Sequence, residues 1–314
     1  MALDRYTADF LRFLDYEHVP APERLGVSAA RDAMRQDVRL DERRALDVDD
    51  IGIPSEGGRI GVRVIWPARL SGAELPCVVY LHGGGWVLGD EVTHANVVQR
   101  IARDADVAVI FIKYSRAPEA RFPVALTEIS SVLHWLVDHA SSWGLDASRI
   151  ALVGDSAGGN LAAAAALMVA EDGGPQIRFL GLAFPALDAD FETSSYREFA
   201  SGHFLTRETM KWFWDQYVPN PVARRQPLVS PLHASLPALR RLPPTFIATA
   251  ENDPLRDDGE AFAARMMQAG VDVVATRYLG TIHACVVLPA LADTPAANAI
   301  LEQLCAQIAL HLHA

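Results

Sequence analysis

The sequence predicts an α/β protein built on a mostly parallel β-sheet, and three observations carry that expectation. From about residue 58 onward, short runs rich in β-branched residues alternate with longer amphipathic segments. One of those runs ends in Gly154-Asp155-Ser156-Ala157-Gly158 and passes directly into an alanine-rich segment, the order strand, sharp turn, helix. The chain of 314 residues is 50% hydrophobic and 21% charged, enough apolar material for a sizeable core and no bias toward disorder. At roughly 150 residues per domain, that length suits two domains or one large α/β domain with insertions.

The candidate strands are 60–66, 77–81, 107–113, 150–153, 180–184, 245–250 and 271–278, each apolar and bounded by Gly, Pro, Asp or Asn. Between them, 94–104, 123–139, 157–171, 259–269 and 295–312 repeat apolar residues three and four apart, the spacing of a helix with one buried face. Thr294 is expected to cap the last helix with Pro295 at its first position, and Gly270 to close the helix before it.

Two stretches break the alternation. Residues 1 to about 47 are charged and helical in character, and residues 188–242 hold an aromatic-rich helix at 206–217 followed by polar, proline-rich linkage. The predicted organisation is therefore 1–47 as an N-terminal cap segment and 48–187 as the first part of an α/β core. Residues 188–242 then form a cap insertion with its linkage, and 243–314 the second part of the core. The two excursions are expected to fold together, because long departures from a regular sheet are where pockets and lids lie.

Lys plus Arg number 28 against 39 Asp plus Glu, a formal charge of −11 that argues against a nucleic-acid partner. The longest apolar stretch, 161–170, is well short of the ~20 residues that cross a bilayer, so no membrane span is expected. Asp4, Arg5, Asp9 and Arg12 interrupt the N-terminus where a secretory signal would be uncharged, and the cytoplasm is the expected compartment. Cys77, Cys285 and Cys305 lack paired spacing, which predicts buried thiols and neither disulfides nor a metal cluster. No metal and no cofactor are expected.

The chemistry-bearing signal is the Gly154–Gly158 pentapeptide. A serine flanked by glycines at a strand-to-helix turn is presented on a tight bend, with backbone N–H groups of the helix start near the place where an oxyanion develops. Upstream, His82-Gly83-Gly84-Gly85-Trp86 follows a strand, and three successive glycines let backbone amides face a ligand. Gly83 and Gly84, with Ala157 from the elbow, are the expected oxyanion donors, and His82 is expected to anchor the loop. A serine nucleophile needs a base and the base an orienting acid, in the chain order Ser, Asp/Glu, His. The strand at 245–250 runs into Glu251, Asn252 and Asp253, where Asp253 before Pro254 is the expected acid, Glu251 the weaker rival and Asp257 a helix-capping residue. The strand at 271–278 leads to His283, favoured as base over the other nine histidines. His203, in the insertion, is a candidate substrate contact.

Together these residues resemble the hormone-sensitive-lipase family of α/β-hydrolases, in its bacterial esterase branch with a G-D-S-A-G elbow. The resemblance runs from about Val62 to the C-terminus and rests on His82 to Trp86, Tyr114-Ser115-Arg116-Ala117-Pro118-Glu119 with Phe122-Pro123, Gly154 to Asn160, Asp253 to Asp257, and His283. It implies an eight-stranded, mostly parallel sheet under a helical cap, no metal, and hydrolysis of short-acyl carboxylic esters. Two departures stand out: the family often has Tyr-Arg-Leu-Ala-Pro-Glu at 114–119, and His-Gly-Phe or His-Ala-Phe where this chain has His283-Ala284-Cys285. On this reading the protein is a serine carboxylesterase with Ser156 as nucleophile, His283 as base and Asp253 as its orienter. The same three residues also serve amidases, formamidases and lactonases, and a non-catalytic ligand-binding homologue is the alternative from another class. The expected partner is a small-molecule ester, with a second copy of the chain as the other partner considered.

Overall fold

The computed structural model describes residues 2–36, 38, 46–55, 57–68 and 74–314. Part of the expected N-terminal segment, 1, 37 and 39–45, lies outside the described residues. The strands are β1 (Val48–Ser55), β2 (Gly58–Ile65), β3 (Leu75–Leu81), β4 (Ala108–Lys113), β5 (Leu145–Asp155), β6 (Ile177–Ala183), β7 (Thr245–Asn252) and β8 (Val273–Ile282). They form one eight-stranded sheet in the order β1-β2-β4-β3-β5-β6-β7-β8. The β1/β2 and β2/β4 pairs are antiparallel and all others are parallel. The architecture is the α/β-hydrolase fold.

Strand β1 is the one that the apolar pattern did not announce. Its sequence, Val48-Asp49-Asp50-Ile51-Gly52-Ile53-Pro54-Ser55, puts only Ile53 fully inside, since an edge strand has one neighbour and one wet side. By contrast β3 is buried at every position, as a central parallel strand covered on both faces must be. Strand β5 begins at Leu145 rather than near 150 because Leu145 already pairs with Leu75.

Helices α1 (Arg5–Tyr16), α2 (Pro22–Leu25) and α3 (Val27–Gln36) precede the sheet. Helices α4 (Ala95–Asp104), α5 (Val124–His139) and α6 (Ala157–Asp172) alternate with its strands. Helices α7 (Ser194–Glu198), α8 (Arg207–Tyr217) and α9 (Leu236–Leu239) fill the second excursion, and α10 (Arg256–Gln268) and α11 (Pro295–Leu312) complete the chain. Residues of α5, α6 and α10 build the core on one face of the sheet, and residues of α4 and α11 the core on the other. Helix α6 is buried almost along its whole length, which its alanine run permits by letting the sheet and α5 approach closely. Truncating its fully buried Leu161 to alanine belongs to the class of changes that cost ~2–5 kcal/mol. Thr294 accepts from the Ala297 N–H with Pro295 at the helix start, and Gly270 follows the Ala269 cap of α10 at φ 86°. Helix α10 starts three residues before the expected 259, at Arg256, so Asp257 lies inside its first turn and does not cap it.

The two excursions touch one another and the core loops. Glu23 accepts a hydrogen bond from the Thr209 hydroxyl of α8 at 2.9 Å, and Phe10 of α1 meets Phe204 at 6.0 Å between centroids. The Asp4 N–H donates to the Gly280 carbonyl at 3.1 Å. Arg31 of α3 donates to the Val87 and Ala117 carbonyls at 2.8 and 2.9 Å and grips the Glu119 carboxylate with two bonds of 2.8 Å. The ion pair adds little, because Glu119 is largely in solvent, whereas the two carbonyls belong to buried residues. Arg31→Ala is thus expected to cost about 1–3 kcal/mol through those orphaned acceptors and to lower Tm by several degrees in a thermal melt. An unchanged Tm would mean that water replaces the guanidinium at both carbonyls.

Candidate active site

Strand β5 ends at Asp155 and α6 begins at Ala157, which leaves Ser156 alone in the turn at φ 55° and ψ −120°. Such a backbone costs roughly 1–3 kcal/mol for a residue with a side chain and persists only when its surroundings hold it. They do so here: the Ser156 N–H donates to the Ala183 carbonyl of β6 at 2.8 Å, and its own carbonyl accepts from Asn160 and Ala186. The bend brings α6 so close to β3 that a Cβ on Gly158 would sit 1.9 Å from the Leu81 carbonyl oxygen, so glycine is required there by space alone.

Asp253 and His283 stand just beyond the ends of β7 and β8, two strands that lie side by side. His283 Nε2 is 2.9 Å from Ser156 Oγ, and His283 Nδ1 is 2.7 Å from Asp253 Oδ2. The other Asp253 oxygen accepts the Leu255 N–H at 2.9 Å, which sets the carboxylate plane. Ser156, His283 and Asp253 are 6, 4 and 0% exposed, so these bonds lie where water screens little. Phe184 packs edge-on to the imidazole, 5.9 Å between centroids. Asn252, unremarked in the sequence, ties the two strand ends together through a 3.1 Å bond to the Thr281 carbonyl. An asparagine beside the acid carries no signal of that task.

The rival acids are engaged elsewhere. Glu251 accepts the Gly280 N–H at 2.8 Å, and Asp257 accepts the Ser195 N–H at 2.8 Å and the Arg256 Nε–H at 3.1 Å. His203 contacts the Ser201 carbonyl and the Phe199 ring.

In the glycine-rich loop, the three glycines expected to turn their amides toward a ligand differ in their hydrogen bonds, and Gly83, an expected oxyanion donor, has its N–H engaged within the protein. Its N–H donates to Asp155 Oδ1 at 3.1 Å, so it is already taken by a carboxylate. Among the described residues, the N–H groups of Gly84, Gly85 and Ala157 have no protein acceptor. Gly84 adopts φ 107°, and a Cβ there would lie 2.5 Å from the Leu88 carbonyl oxygen. His82 stacks on Tyr114 at 4.2 Å, and the Tyr114 hydroxyl donates to the His82 carbonyl at 2.8 Å. Burial, with His94 nearby, lowers the His82 pKa to about 3, which keeps it a neutral anchor. On the outer side, Trp86 stacks on Tyr217 of α8 at 4.6 Å, and the Phe213 ring of α8 lies against Gly85.

Cys285 is buried, and burial together with the Asp253 charge pushes its thiol pKa up, the opposite of what a reactive thiolate needs. The described residues contain no group of three or more His, Cys, Asp or Glu placed to hold a metal ion, and no helix long and apolar enough to cross a membrane.

Residues 78–287 match a protein family described as having the alpha/beta hydrolase fold. The chain is 37% identical over 282 residues to the carboxylesterase NlhH of Mycobacterium tuberculosis, across 85% of this chain and 86% of that protein. It is 36% identical over 244 residues to an ethyl acetate hydrolase of Pseudomonas putida, across 75% and 74%. The crystal structure of a thermostable esterase from Pseudomonas putida ECU1011 superposes with a TM-score of 0.95 at 38% identity, over 99% of this chain and 98% of that one.

Proposed function

This chain belongs to the hormone-sensitive-lipase-like family of α/β-hydrolases and is a carboxylic ester hydrolase, and from that premise we propose that Ser156 performs the hydrolysis through an acyl-enzyme on esters of short acyl chains. The observation that carries the mechanism is the unbroken hydrogen-bonded series Ser156–His283–Asp253, at 2.9 and 2.7 Å in a buried site.

His283 Nε2 takes the Ser156 proton as Oγ adds to the ester carbonyl, and Asp253 holds the Nδ1–H, so the tautomer is the one with a free Nε2 lone pair. The imidazolium then gives its proton to the leaving alkoxide. Water, deprotonated by the same nitrogen, releases the acid. The charge on the tetrahedral oxygen meets the N–H groups of Gly84, Gly85 and Ala157, and the loss of one such donor from an acyl-transfer site typically costs about 2.7–4 kcal/mol in the barrier.

The short-acyl reading is supported by enclosure. The nucleophile is almost out of solvent, and the Gly84–Trp86 side is walled by the buried rings of Phe213, Trp214 and Tyr217. The segments 1–47 and 188–242 act in this reading as one cap, joined by the Glu23–Thr209 and Phe10–Phe204 contacts. A relative named for ethyl acetate points to the same size class. Rates for nitrophenyl esters from acetate to palmitate test it: kcat/KM is expected to peak at short chains and fall steeply for long ones. A maximum at about ten or more acyl carbons, or activation at an oil–water interface, would make the cap a mobile lipase lid.

A further inference from the structure

Asp155 occupies one of the two positions of the elbow motif whose side chain the turn leaves open, yet it is among the most thoroughly engaged carboxylates in the molecule. It is 3% exposed. Its Oδ1 accepts the Tyr80 hydroxyl at 2.7 Å and the Gly83 N–H at 3.1 Å, and its Oδ2 lies 3.4 Å from His94 Nε2. His94 is held from its other side by the Thr93 hydroxyl at 2.9 Å. A Cβ on Gly83 would stand 2.2 Å from Oδ2, so the loop backbone rests directly on the carboxylate. Burial alone would favour the neutral acid, but His94 and the Tyr80 hydroxyl outweigh it and keep the Asp155 pKa below the usual range. None of these contacts moves a proton in the reaction described above.

We propose that Asp155 is a positioning residue that couples the nucleophile's strand to the glycine-rich loop: by holding the Gly83 N–H, it orients the next two peptides so that the Gly84 and Gly85 N–H groups face the ester carbonyl. The inference rests on the reading of Ser156 as nucleophile and of those glycines as oxyanion donors. Asp155 immediately precedes Ser156 in the chain, so the serine and the loop share a single rigid reference point. Without the carboxylate, Gly83 has a free N–H inside the protein and the loop is released from β5. A displacement of about 1 Å in such a site is enough to lose ~10²-fold in rate.

Asp155→Ala is expected to lower kcat for a short nitrophenyl ester by about 10²–10³-fold with KM changed less than about threefold. The inhibition constant of a trifluoromethyl ketone, whose serine adduct carries the oxyanion, is expected to rise in step with the loss of kcat. Assays are run well below each variant's Tm, which separates positioning from instability. Should the alanine variant fail to fold, Asp155→Asn carries the same test, with a smaller shift of kcat and ketone affinity in the same direction. A rise in KM at unchanged kcat, or a fall in kcat with unchanged ketone affinity, overturns the inference. Labelling of the wild-type enzyme by a fluorophosphonate keeps the two readings apart: no label at Ser156 sinks the functional reading itself, whereas labelling with an unaffected Asp155 variant sinks only this one.

Discussion

Ser156→Ala is expected to lower kcat for a short nitrophenyl ester by about 10⁴–10⁶-fold while leaving the fold intact, because in the proposed mechanism it removes the atom that bonds the acyl group and it disturbs little else. The hydroxyl's hydrogen bond is to His283. The strained backbone at φ 55° is secured by main-chain bonds that alanine keeps. What rate remains would come from the oxyanion donors and binding alone, which in related serine chemistry still exceed water by about 10³–10⁴. Circular dichroism and a thermal melt check the fold, and single-turnover assays check for the missing acyl-enzyme. A folded variant with wild-type turnover would remove Ser156 from the mechanism.

The second large effect is expected at Asp253. In Asp253→Asn the amide nitrogen can face His283 Nδ1 only as a donor, so the imidazole is pushed to the tautomer with its proton on Nε2, where it cannot accept the serine's. A loss of ~10⁴ in kcat follows from that tautomer change. Glu251→Gln, two residues upstream, is expected to stay within about tenfold of wild type, because a glutamine oxygen still accepts the Gly280 N–H that Glu251 now holds. Comparing kcat of the two variants decides between the carboxylates, and the reverse ranking would transfer the orienting role to Glu251.

How much of this was legible beforehand differs by residue. Strands β3, β4, β6 and β7 were readable because central strands need continuous apolar runs, and β1 was not, because an edge strand with Asp49, Asp50, Gly52 and Pro54 looks like a loop. Ser156, Asp253 and His283 stood out through local chemistry, a flanked serine at a turn and a carboxylate and an imidazole each just past a strand. The three neighbouring glycines of the loop look alike in sequence, and that the Gly83 N–H is engaged depends on where Asp155 lies.

The sequence by itself determined the succession of strands and alternating helices from β2 onward, the elbow and the residue types that could act as nucleophile, acid and base, since these follow from short-range periodicity, turn chemistry and side-chain chemistry. Only the tertiary structure decided that the ends of β5, β7 and β8 converge to bonds of 2.9 and 2.7 Å, that Gly83 donates to Asp155 and not toward the Ser156 side, and that α8 closes against Gly85 and Trp86. Those contacts join residues as far as 131 positions apart in the chain, from Trp86 to Tyr217. Their geometry depends on strand order and packing across the whole sheet, which no local pattern encodes.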